Sequence, residues 1–146
     1  VGSVLVVDDY AHHPAELRAT LEGARSVHEG PITALFQPHR YTRTRDCWGD
    51  FLGAFAKADR VIITDIYAAS EAPIEGVSGE ALARAIGDSG HPDVHFGGSL
   101  ETILDEWPER LRENELLMTL GAGDVVSLGP RLLSALEAKM GAEGDQ

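Results

Sequence analysis

Five short apolar runs recur along the chain, at Val4–Val7, Ile32–Phe36, Arg60–Thr64, Val94–Phe96 and Leu116–Leu120, and none alternates strictly between polar and apolar residues. A strand wet on one face alternates, whereas a strand buried on both faces reads as continuous apolar sequence. Between the runs the apolar spacing changes to the helical period of about 3.6 residues. Leu17 and Leu21 mark a first helix with Pro14 in its opening turn, and Trp48, Phe51, Leu52 and Phe55 form the stripe of a second. Ser78 is placed to cap a helix carrying Leu82 and Ile86. Ser99 is placed likewise before Leu100, Ile103, Leu104 and Trp107, a helix that Pro108 should interrupt. Leu132, Leu133, Leu136 and Met140 close the chain on a last helix opened by Pro130. Aromatic and methionine residues within these stripes are read as core. Strand and helix in alternation predict an α/β fold: three layers, with a mostly parallel sheet of about five or six strands flanked by helices. At 146 residues the chain is expected to make one domain over 1–140, followed by a polar tail over 141–146. Residues 68–77 lack periodicity, and Pro73 and Gly76 suggest an ordered loop there.

Parallel strands would bring the residues after each run to one edge, where open α/β sheets bind ligands. The first run leads into Asp8-Asp9-Tyr10-Ala11-His12-His13-Pro14, and the second into Gln37-Pro38-His39-Arg40-Tyr41-Thr42-Arg43. The third is followed by Asp65, Tyr67 and Glu71, the fourth by Gly97 and Gly98, and the fifth by Gly121-Ala122-Gly123-Asp124. Arginine presents a rigid donor fork that matches a carboxylate or phosphate, each charge-assisted bond contributing roughly 1.5–3 kcal/mol. Arg40 and Arg43 therefore suit a small anion; ordinary surface pairing with some of the 24 Asp+Glu is the equal alternative. His12 suits orientation or proton handling, because imidazole chemistry operates near neutrality. His13, just before Pro14, suits helix capping. Adjacent side chains diverge and no Cys/His cluster has zinc spacing, so no metal ligand is assigned. Asp9 can accept from a ribose diol or an ammonium group, or Asp8 and Asp9 can simply favour the positive end of the next helix.

Several classes are excluded or disfavoured. A net charge of −12 argues against nucleic-acid binding, which needs a basic face. No apolar run approaches a membrane span. The single Cys47 cannot form an internal disulfide, which fits a reducing, cytoplasmic setting and a buried hydrophobic role. There is no G-x-x-x-x-G-K-[ST] phosphate loop and no G-x-S-x-G elbow, so an independent ATPase or hydrolase is disfavoured.

Asp9-Tyr10-Ala11-His12-His13-Pro14 together with Phe36-Gln37-Pro38-His39-Arg40-Tyr41-Thr42-Arg43-Thr44 resembles the C-terminal domain of the Mur ligases. Asp65-Ile66-Tyr67-Ala68-Ala69 with Glu71, Pro73 and Ile74, and Gly121-Ala122-Gly123-Asp124, add to the resemblance in the same order, so that it covers essentially the whole chain. It implies a Rossmann-like domain that works beside an N-terminal UDP-sugar domain and a central P-loop ATPase, both outside this sequence. The implied chemistry is that of the branch adding L-alanine to UDP-N-acetylmuramate in peptidoglycan synthesis. ATP phosphorylates the sugar's carboxylate, the amine attacks the acyl phosphate, and the central domain holds most of the ATP and Mg2+ contacts. By position, Asp9 would meet the ATP ribose, while Tyr10, His12, His39, Arg40 and Arg43 would line the alanine pocket. His12 would orient or deprotonate the amino acid. Ser70 stands where the family pattern has glycine, which bears on the conformation of that loop. Two rival readings are a ligase that recycles a whole murein peptide onto the same sugar, and a free-standing small-molecule-binding module. The fragment alone is expected to have no ligase activity.

Overall fold

A computed structural model describes residues 3–144. Its sheet contains β1 (Leu5–Asp9), β2 (Ile32–Phe36), β3 (Arg60–Thr64), β4 (Val94–Gly98) and β5 (Leu116–Leu120). They lie in the order β1-β5-β2-β3-β4 with every pairing parallel. The helices are α1 (Pro14–Val27), α2 (Tyr41–Asp46), α3 (Trp48–Phe51), α4 (Gly79–Asp88), α5 (Leu100–Glu106) and α6 (Leu128–Gly144). The α/β reading is therefore correct, with five strands among the described residues. No helix among them is long and apolar enough to cross a membrane.

Side chains of a buried strand leave alternately to opposite faces, and two core layers result. Ile32, Ala34 and Phe36 of β2 meet Leu17 and Leu21 of α1, Phe51 and Phe55, and Leu82 and Ile86 of α4. Leu35 and Ile62 go the other way, to Ile103 of α5, Trp107, and Leu128 and Leu132 of α6. Four sequence expectations need correction. Only β2, β3 and β5 are buried at every position; β1 and β4 are the sheet edges, and Leu5 remains 57% exposed. Apolar content reports membership of a sheet but not rank within it. The stripe from Trp48 to Phe55 is not one helix: α3 stops at Phe51, and turns over 52–57 carry Ala54 and Phe55 into the core. Gly49 and Gly53 weaken a continuous helix there, and burial of Phe51 and Phe55 decides the local path. Met140, expected in the core, is exposed on α6, and Cys47 is only partly buried.

Local signals set most helix ends. Ser78 Oγ accepts from Ala81 N at 3.0 Å and Ser99 Oγ from Thr102 N at 3.1 Å, so both act as N-caps. α5 stops at Glu106 and a 3₁₀ turn over Pro108–Arg110 follows, as a proline without an N–H donor requires. α6 begins at Leu128, before Pro130, which sits in the first turn where its missing donor costs nothing. The helix continues through Gly144, and residues 145 and 146 lie outside the described residues.

Candidate functional site

Since every strand is parallel, the segments that follow them converge on one edge. There the pairing of β2 with β3 is prolonged beyond the strands. Tyr67 N donates to Pro38 O at 2.9 Å and Arg40 N to Tyr67 O at 2.8 Å. Arg40 is held at φ 70° and ψ 144°, a conformation that costs a non-glycine residue of order 1–3 kcal/mol. The surroundings enforce it: Arg40 O accepts from Thr44 N at 3.2 Å and from Thr44 Oγ1 at 2.7 Å. Backbone strain thus coincides with a residue singled out by chemistry, and it aims Arg40 outward at the start of α2.

The next turn of α2 places Arg43 Nη1 3.1 Å from His39 Nδ1. The His39 ring stacks on Tyr67, with centroids 5.5 Å apart and planes 9° apart, and lies 6.0 Å from the His12 ring. His12 in turn meets Tyr10 edge to face at 5.1 Å. Burial, then the charges of Arg43 and Arg40, lower the His39 pKa below its ordinary 6.5, so the ring is neutral at physiological pH. Neither Arg40 nor Arg43 forms an ion pair with a carboxylate among the described residues, whereas neighbouring Arg45 pairs with Asp46 at 2.9 Å. Arg40 does feel the Glu71 carboxylate and helps to lower its pKa, but makes no ion pair with it.

On the other side of this cluster, Asp8 Oδ1 accepts from Thr119 Oγ1 at 2.6 Å, which ties the end of β1 to β5. Asp9 Oδ1 accepts from Ala11 N at 2.8 Å and shapes the turn, leaving its second oxygen without a hydrogen bond among the described residues. His13 occupies the N-cap position of α1, where Glu16 Oε1 accepts from His13 N at 3.0 Å. That bond, the larger of the lowering influences, keeps the Glu16 carboxyl below its ordinary range. One ligand atom from each of His12, His13 and Glu16 lies within 4.8 Å of the others. Two imidazoles and one carboxylate do not match Mg2+, which seeks oxygen ligands.

Two supports escaped the sequence reading, although the strand-end rule had already brought their residues to this edge. Glu71, in the long loop, accepts from Thr42 N at 3.1 Å and from Thr42 Oγ1, latching the loop to the first turn of α2. These two bonds lower the Glu71 pKa. Gln37 Nε2 donates to Asp124 Oδ1 at 2.6 Å while Gln37 Oε1 accepts from Val125 N at 3.2 Å, fixing the turn after β5. Gly123 is required in that turn: a Cβ there would lie 2.6 Å from Tyr67 Cγ. Beyond Tyr67 an open cavity of about 230 Å³ is lined by Gln37, Thr64, Asp65, Ser99 and Asp124. The loop itself carries Ala69 at φ 50° and Ser70 at φ 71°, so the position where glycine was expected is indeed left-handed.

Residues 1–123 match the family model described as Mur ligase, glutamate ligase domain. A UDP-N-acetylmuramate–L-alanine ligase of Anaeromyxobacter sp. (strain Fw109-5) is 52% identical over 137 residues, 94% of this chain and 30% of the relative. The chain thus spans about 30% of the length of the curated relatives it matches. Among solved structures, a UDP-N-acetylmuramate-alanine ligase from Thermotoga maritima superposes with a TM-score of 0.74 at 28% identity, over 93% of this chain and 27% of the other. A murein peptide ligase from Psychrobacter arcticus reaches the same TM-score of 0.74 at 20% identity, covering 93% of this chain and 28% of its own, a likeness of fold.

Proposed function

The chain belongs to the Mur ligase family through its glutamate ligase domain, and on that premise we propose that it is the amino-acid-handling C-terminal domain of an ATP-dependent ligase. The reaction joins L-alanine to UDP-N-acetylmuramate through an acyl phosphate, a cytoplasmic step of peptidoglycan synthesis. In this reading residues 1–140 form the domain, and the UDP-sugar and ATPase domains lie elsewhere in a longer protein. The observation that carries it is the pair Arg40 and Arg43, unpaired with any carboxylate among the described residues and set beside Tyr10, His12 and His39.

Such a site suits an amino acid. The two guanidinium groups take the carboxylate, and the ammonium is then directed away from them towards a reactant carried by another domain. Much of the acceleration comes from position, where effective molarities can reach about 10⁵ M or more. Closure of this edge onto the ATPase domain would exclude water that otherwise hydrolyses an acyl phosphate. Asp9 fits the ATP ribose, since its second oxygen can accept from a diol. In this reading the ATP phosphates and Mg2+ are held mainly by the central domain, in keeping with a sequence that has no phosphate loop.

The test is ligation by the full-length protein, with ADP release measured while L-alanine or a murein tripeptide is offered. L-alanine should be used. Exclusive use of tripeptide would replace this reading with the peptide-recycling ligase. Ligation by the 146-residue chain alone would overturn the assignment of ATP and UDP-sugar binding to other domains.

A further inference from the structure

The turn into α1 gathers three ligand side chains, two of which the substrate reading leaves without a role. Vicinal side chains ordinarily diverge, yet the His12 and His13 rings lie 4.7 Å apart, tilted by 38°. His13 holds the N-cap position in extended backbone, at φ −88° and ψ 150°, and Pro14 starts the helix behind it. Glu16 follows at the third helical position and folds back over the cap. Its Oε1 accepts from His13 N at 3.0 Å and from His12 N at 3.4 Å, and lies 3.7 Å from His12 Nδ1. Its Oε2 makes no hydrogen bond among the described residues. One ligand atom from each of the three residues lies within 4.8 Å of the others, and no second trio of His, Cys, Asp or Glu does so among the described residues.

We propose that His12, His13 and Glu16 form a binding site for a divalent ion of the zinc class, whose occupancy takes His12 out of use in the amino-acid pocket. Binding follows from side-chain placement alone; its effect through His12 rests on the ligase reading of the site. The donor set selects the ion. Zn2+ accepts two imidazoles and one carboxylate, with water completing the coordination, and imidazole likewise suits Ni2+ and Cu2+. Mg2+ seeks oxygen ligands and gives up its water reluctantly, so it should not compete.

Ligand atoms around a tetrahedral Zn2+ stand about 3.4 Å apart, so the trio must contract by up to roughly 1.4 Å. The residues that have to move are free to do so. His13 and Glu16 are exposed, whereas the His12 side chain is only 13% exposed and serves as the fixed ligand. His12 Nδ1, which faces Glu16, also lies 2.9 Å from Tyr10 O. An ion on Nδ1 replaces the hydrogen that this carbonyl can accept, and so disturbs the turn holding Tyr10 and His12 together. Two features oppose a cation here: the positive end of the α1 dipole, and the Arg43 guanidinium on the far side of His39. Both act through space, whereas three coordinate bonds act at contact, and the net charge of −12 draws cations to the chain.

The test uses the full-length protein with Mg2+ in excess, so that oxygen-lined sites elsewhere are filled. Zn2+ titrated by calorimetry should bind wild type roughly tenfold or more tightly than His13→Asn or Glu16→Gln, since losing even an outer partner of a metal costs about 10–100-fold. Asparagine and glutamine can preserve the capping bonds of α1, so both variants should fold. Cu2+ in place of Zn2+ should show nitrogen couplings from two imidazoles by electron paramagnetic resonance, and from one in His13→Asn. Zn2+ should also lower kcat/KM for L-alanine by roughly tenfold or more in wild type, the worth of one charge-assisted bond. Both variants should match wild type without Zn2+ and resist it when added. Equal Zn2+ affinity in all three proteins, or nitrogen couplings unchanged by His13→Asn, overturns the site. Equal inhibition of all three overturns the effect through His12. If the full-length wild type ligates no amino acid, the ligase reading falls, while the metal site is still judged by calorimetry and resonance.

Discussion

Glu115→Gln should destabilise the domain without touching the chemistry at the opposite end of the sheet. Glu115 is fully buried at the amino-terminal end of β5, and Arg60, 8% exposed, begins β3. Glu115 Oε1 accepts from Arg60 Nη2 at 2.7 Å, from Thr33 Oγ1 and from Arg112 Nη2 at 3.3 Å, while Oε2 accepts from Arg112 N at 2.9 Å. The amide oxygen of glutamine can keep the first set, but its NH2 group would oppose the Arg112 N–H. The Arg60 guanidinium, already pushed down from its ordinary pKa by burial, would lose its counter-ion. Removing one partner of a buried pair costs about 3–5 kcal/mol, and the bonds that glutamine retains put this case near the lower bound. At an m value of about 1.5 kcal/mol/M, a loss of 3 kcal/mol moves the urea midpoint down by 2 M. Trp107 reports the transition, because the guanidinium carbon of Arg60 lies 4.9 Å from its ring centroid. A loss below about 1 kcal/mol at unchanged m would refute the reasoning. The double variant Arg60→Met/Glu115→Leu removes both charges and should return to within about 1 kcal/mol of wild type. If it is as unstable as the single variant, packing rather than an uncompensated charge is responsible. In the full-length ligase, KM for L-alanine should not move with Glu115→Gln.

Arg43→Ala in the full-length protein should raise KM for L-alanine by roughly ten- to a hundredfold, the equivalent of one charge-assisted bond, with little effect on KM for ATP; equal effects on both substrates would argue against a carboxylate clamp. Ser70→Gly should raise stability by about 0.5–1 kcal/mol, because φ is 71° at that residue, and a melting temperature that falls would contradict the left-handed backbone. Gly123→Ala should displace Tyr67 from its stack on His39, since the new methyl would meet Tyr67 Cγ at 2.6 Å; unchanged KM for L-alanine would show that the stack does not position His39. The His39 pKa is lowered on folding from 6.5, so below that value the unfolded chain takes up a proton that the folded ring resists. Its contribution to stability is therefore full above pH 6.5, is lost as pH falls towards the folded pKa, and then levels. Thermal melts of the wild type and His39→Gln across about pH 5–8 check the sign; equal slopes would remove this contribution.

Much was legible in the chain itself. The apolar runs Ile32–Phe36, Arg60–Thr64 and Leu116–Leu120 coincide with β2, β3 and β5, and Ser78 and Ser99 do cap helices. These features are local: a buried parallel strand must be apolar, and a helix start must satisfy its own N–H groups. The turn from Asp8 to Pro14 and the segment from Gln37 to Arg43 were also visible as polar strand ends. Chain order could not say that β5 lies between β1 and β2, nor that β1 and β4 are edges, since strand rank follows from crossovers through space. Nor could it reveal the bond from Thr42 to Glu71, or choose between ion pairing and anion binding for the arginines. Arg45 pairs with Asp46 next to it, whereas Arg40 and Arg43 form no ion pair with a carboxylate among the described residues, although Glu71 is bonded to Thr42 between them. Residue types set which chemistry was available at this edge. Only the tertiary structure decided which donors remain free, because a hydrogen bond depends on partners that sequence distance does not order.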